Sequence, residues 1–111
     1  MGLFSKKQKS KDTVIEKTVP KADMIVFEKM SSDDNNYLVK LADLLMSGQP
    51  LIVNFEPLDI DQANKAIAFF SGVIYAIQGE IINIQDKVFM FATNDVYDDG
   101  SIDEFLKDFV E

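Results

Sequence analysis

Apolar positions along the chain fall into short runs and helical stripes separated by turn residues. Met24-Ile25-Val26-Phe27 is a run of strand formers and predicts a first strand. Ser31 to Asn36 gathers capping and turn residues; Leu38, Leu41, Ala42 and Leu45 then recur at helical spacing until Gly48 and Pro50. Leu51-Ile52-Val53-Asn54-Phe55 is almost continuously apolar, as in a strand covered on both faces, and Pro57 breaks it. Asp59 caps a second helix, with Gln62 three residues later as in a capping box.

That second helix carries two apolar stripes. Ile60, Ala63, Ile67, Phe70, Ile74 and Ile77 form one; Ala66, Phe69, Val73 and Ala76 form another. A helix on a single sheet needs only one such face. Gly72 lies between them, and a helical Gly costs about 1 kcal/mol relative to Ala, so it marks a close approach by another backbone. The second stripe therefore predicts a self-association face of Phe69, Gly72, Val73 and Ala76, unless the last helix or the linker covers it.

Gly79 ends the helix, and residues 80–85 and 88–93 read as a hairpin turning near Asp86-Lys87. Phe89 and Phe91 share one face of its second strand, with Val88, Met90 and Ala92 on the other. One face packs on the helices; the other meets a partner, or else the strand is central and buried twice. Ile102, Phe105, Leu106 and Phe109 have the spacing of a short last helix. The order predicts an α/β fold: a small two-layer sandwich, dimeric, with a mixed sheet of about four strands, two main helices and a short C-terminal helix. Residues 1–12 form an N-terminal segment, 13–23 a flexible linker and 24–111 the folded domain.

Charge sharpens this division. Residues 1–21 hold six Lys against Asp12 and Glu16, a net +4, while the rest of the chain is net −12. An acidic body argues against nucleic acid, whose phosphates need clustered cations. The basic head suits an anionic surface instead. Leu3 and Phe4, beside Lys6 and Lys7, can enter a bilayer while the ammonium groups meet lipid heads; the bland alternative is a solubilising, disordered start. No apolar run reaches transmembrane length and no signal peptide is visible, which predicts a cytoplasmic protein, peripheral on the inner face of the membrane.

Composition bears on chemistry. The 111 residues include no Cys, His, Trp or Arg, which removes thiolate and imidazole metal ligands, the commonest general base and the forked phosphate binder. Asp95, Asp98, Asp99, Asp103 and Glu104 lack EF-hand spacing, and Glu56, Asp59 and Asp61 read as turn and cap residues. We therefore expect no enzyme, no cofactor and no metal. A small-ligand or regulatory α/β module, with its cleft at the ends of the parallel strands, is the competing class.

Three segments together resemble the SepF family: residues 49–56 (QPLIVNFE), 62–79 (QANKAIAFFSGVIYAIQG) and 87–89 (KVF), with Asn94-Asp95-Val96 after them. The likeness covers residues 24–96, and its Ser-Gly-x-x-Tyr-Ala-x-x-Gly core is specific in that setting. It implies a dimerising, often polymerising, division protein that binds the C-terminal tail of the tubulin-like protein FtsZ and ties the Z-ring to the inner leaflet of the cytoplasmic membrane. By position, Phe89 matches a hairpin aromatic of the tail groove, with Phe91, Asn83 and Lys87 as its companions, and Gly72 a glycine of the self-association face. Leu3 and Phe4 match the membrane-inserting start. Asn83 stands where many members carry a basic residue, and the linker is shorter than in many members.

Overall fold

The structure is a computed structural model that describes residues 19–108. Leu3, Phe4, Lys6, Lys7 and Phe109 lie outside the described residues.

A 3₁₀ turn, Lys21–Met24, leads into β1 (Val26–Lys29). Then follow α1 (Asn35–Met46), β2 (Leu51–Asn54), α2 (Ile60–Ala76), β3 (Glu80–Gln85), β4 (Val88–Ala92) and α3 (Ser101–Lys107). The first strand starts two residues later than the apolar run suggests, because Met24 closes the 3₁₀ turn and Ile25 N–H is taken by the Ala22 carbonyl.

The four strands form one sheet in the order β1-β2-β4-β3. β1 runs parallel to β2, with Val26 opposite Leu51; β2 and β3 are both antiparallel to β4. This is the mixed sheet expected, and α1 supplies the crossover that two parallel strands need. Both main helices start on side-chain caps. Asp34 accepts the N–H groups of Asn36 and Tyr37, and Asp59 and Gln62 form the reciprocal box, at 2.8 and 3.1 Å.

Strand alternation divides the core in two. Leu51, Val53 and Phe91 face α1 and α2, where they meet Leu38, Leu41, Leu45, Ala66, Phe70 and Ile74. Ile52, Met90 and Ala92 face the other way, toward Val96, Ile102 and the partly buried Phe105 and Leu106. α3 thus covers part of the second sheet face. The 3₁₀ turn is tied to the same region: Lys21 N–H donates to Asp99 (2.8 Å), Ala22 N–H to Ser101 Oγ (2.9 Å), and Lys21 Nζ lies 3.3 Å from Asp95. Asp95 is held below the ordinary carboxyl value of 3.8, chiefly by the Thr93 hydroxyl and then by Lys21. Asp99 is lowered too, by the Ser101 N–H and then the Lys21 N–H.

Candidate functional site

α2 is the element that the candidate surfaces share. Its sheet-facing line is Ala66, Phe70 and Ile74, all buried. Ala66 therefore belongs to the core and not to the outer stripe, a correction with a simple cause: α1 lies beside α2 on the same sheet face and closes over that position. Further along lie the residues expected at a self-association face. Phe69, Gly72, Val73 and Ala76 line one apolar groove together with Ile77 and Met46 of α1. Phe69 and Val73 are half-buried against the core, while Met46 is 63 % exposed. Met46 falls at the end of α1, outside the Leu38-Leu41-Leu45 period, so no apolar stripe announces it.

A β-carbon added to Gly72 would meet nothing within 4 Å. The fold of one subunit gives no reason for a glycine there. Gly79 is the opposite case, since its β-carbon would press on the backbone of β4.

The second apolar groove lies where the start of α2 meets the hairpin. Phe89 and Lys87 line it with Phe55, Leu58, Ile60, Ala63 and Ile67. Phe89 is held edge-on against Phe55, ring centroids 5.9 Å apart, and the Phe55 N–H is fixed to the Lys87 carbonyl at 2.9 Å. The aromatic wall is thus set by the strand ends and not by a mobile loop. Ile60 is 75 % exposed at the rim, although its place in the first stripe suggested a sheet-facing residue. It is the first residue of α2 and lines the groove's edge.

Asn83 stands opposite Phe89 across the strand pair, and its amide donates to the carbonyls of Gln85 (3.2 Å) and Val88 (3.3 Å). Its side chain secures the irregular hairpin end beside the groove. Phe91 is different. It is 0 % exposed, packed on Phe70 at 5.2 Å and on Phe55 at 6.2 Å, so it cannot touch a partner. β4 is an interior strand, and its residues 90–92 are buried on both faces. Phe91 is a core residue.

Of the carboxylates named in the sequence, Asp59, Asp95 and Asp99 have structural duties. Asp59 is engaged in capping α2, and no group of three or more His, Cys, Asp or Glu side chains among the described residues is placed to hold a metal ion. The Tyr37 hydroxyl donates to Glu28 at 2.5 Å. Partial burial, then Glu28, push the Tyr37 hydroxyl well above its usual range. That pair latches α1 to the edge strand. Among the described residues no helix is long and apolar enough to cross a membrane.

Comparisons with known proteins bear on the family and the fold of the chain. The family model described as "Cell division protein SepF" matches residues 26–97. A cell division protein SepF of Carboxydothermus hydrogenoformans is 35 % identical over 82 residues, 74 % of this chain and 58 % of that protein. One from Alkaliphilus metalliredigens is 33 % identical over 90 residues, 81 % of this chain and 59 % of that protein. The chain thus spans less than two thirds of the length of these relatives. Among solved structures, a SepF-like protein from Archaeoglobus fulgidus superposes with a TM-score of 0.56 at 8 % identity, covering 62 % of this chain and 83 % of that one; it supports the fold alone.

Proposed function

The chain belongs to the SepF family of cell division proteins, and from that premise we propose that it is a non-enzymatic adaptor that joins copies of itself, the FtsZ tail and the membrane. One observation carries the reading: a single helix, α2, supplies one wall of each of two apolar grooves. Adaptors need two docking faces held at fixed spacing, and a rigid helix of 17 residues provides that.

In this reading the groove of Phe69, Gly72, Val73, Ala76 and Met46 takes a second copy. An isologous pair would bring the two Gly72 backbones together, which explains a glycine that its own fold does not demand. The groove around Phe89 takes apolar side chains of the FtsZ tail, while Lys87 at its edge meets the tail's acidic groups. Leu3 and Phe4 insert in the membrane with Lys6 and Lys7 at the lipid heads, and association doubles the number of such weak anchors. The protein then lies on the inner face of the cytoplasmic membrane at the division site.

Titration of the chain with a synthetic FtsZ C-terminal tail peptide tests the partner groove. Saturable binding weakened about tenfold or more by Phe89→Ala is expected. A folded Phe89→Ala chain with unchanged affinity would refute the groove assignment.

A further inference from the structure

The strand order leaves β1 and β3 as the two edges of the sheet. Which backbone groups an edge presents follows from the bonds on its inner side. The Phe55 N–H bonds to the Lys87 carbonyl, so along β4 the backbone groups of Phe89 and Phe91 also point to β2. Alternation turns those of Met90 and Ala92 to β3, where they meet Ile82 and Glu80. Ile81 and Asn83 are left with N–H and C=O groups directed away from the sheet, without a backbone partner among the described residues. Open edges of this kind are commonly guarded by charge or by Pro. β3 reads Glu-Ile-Ile-Asn-Ile-Gln, with no Pro and its single charge at the first position, and Ile81 is 40 % exposed.

This edge is complementary to itself. A second copy laid antiparallel about Ile82 sets Ile81 opposite Asn83 in both directions, so every outward group finds a partner. It also sets Ile82 against Ile82, two partly buried side chains of the second sheet face, and Glu80 against Ile84, with no like charges opposed. Other registers bond less well, because the ladder turns irregular after Asn83 and the Gly79 N–H is already taken by the Ile74 carbonyl. β1 lacks this property. Its Val26 and Met30 N–H groups bond to β2, so Phe27 and Lys29 point outward, and a pair centred on Glu28 would set that carboxylate against its own copy.

We propose that the β3 edges of two copies pair antiparallel about Ile82, joining two four-stranded sheets into one. So short a ladder does not hold lone subunits together; it acts between copies already paired through α2, and in that effect alone it rests on the self-association reading. Two separate self-complementary contacts on one chain build an open row instead of a closed pair.

The test is disulfide trapping in the full chain, which has no Cys of its own. Two residues directly opposed at such a pair have Cα atoms about 4.5 Å apart, within disulfide reach, whereas the diagonal from Ile81 to its copy is about 7–8 Å and beyond it. On mild oxidation Ile82→Cys should give covalent dimers about tenfold faster than Ile81→Cys, or more. Trapping captures brief pairing, so it does not require the α2 contact. If Ile82→Cys does not fold, a mixture of Ile81→Cys and Asn83→Cys chains decides, and should give mixed dimers in preference to either chain's own. Equal rates at Ile82 and Ile81, or an Ile82→Cys chain that stays reduced, would overturn the edge pairing. Trapped Ile82→Cys dimers should sediment as larger species, and as dimers alone when Gly72→Lys is added. Trapped dimers that never grow would uphold the edge and count against the α2 groove.

Discussion

A β-carbon on Gly79 would lie 2.3 Å from the carbonyl oxygen of Ala92, closer than any real contact allows. The obstacle is backbone of the central strand and cannot step aside. Gly79→Ala should therefore destabilise the fold by about 1–3 kcal/mol or more, read as a lower midpoint in urea unfolding. A wild-type midpoint in this variant would show that the α2–β3 corner relaxes freely.

Just before it, Gln78 holds the left-handed conformation, φ +56°, that follows α2. Non-glycine residues pay a steric cost there. Gln78→Gly should raise stability by a few tenths to about 1 kcal/mol, less the extra entropy of an unfolded glycine. Thermal unfolding of the two chains side by side checks the sign.

Phe89 and Phe91 share a strand face but not a role. Phe91→Ala should cost about 3–5 kcal/mol by opening a cavity under α2, whereas the half-buried Phe89 should cost less when truncated. Equal losses in paired denaturant titrations would contradict the division of labour between core and groove.

Acid should release the 3₁₀ turn before it unfolds the domain. Asp95 and Asp99 are depressed in the fold, so their contribution is complete above the unfolded value near 3.8 and is lost as pH falls through their lower folded values. Amide shifts of Lys21 and Ser101 should hold steady down to about pH 4 and move together below it, while those of β4 stay put. Movement of the Lys21 amide near neutral pH, with none in acid, would mean that these carboxylates do not hold the turn.

Much of this fold is legible in the residues. Asp59 with Gln62 announces the start of α2, and the Leu51–Phe55 run announces a doubly covered strand, because caps and periods are local facts. Depth is not local. Alternation puts Phe89 and Phe91 on one face, yet only the placement of α2 over Phe91 decides which is core and which is wall. Ala66 fails for the same reason: a stripe on a helix shows direction, and the neighbouring α1 determines how much of that direction is closed. The grooves draw residues from elements far apart in sequence, Met46 with Val73 and Ile60 with Lys87, and no single period links such pairs.

Sedimentation of the full chain across a concentration series, beside Gly72→Lys, probes the heart of the account. The open α2 strip should yield reversible dimers or larger species in the parent chain. In the variant, whose new side chain meets nothing within its own subunit at the β-carbon and which relieves α2 of a helical glycine, folded monomers should result. A parent chain that stays monomeric at every concentration, or a lysine variant that associates as well as the parent, would contradict it.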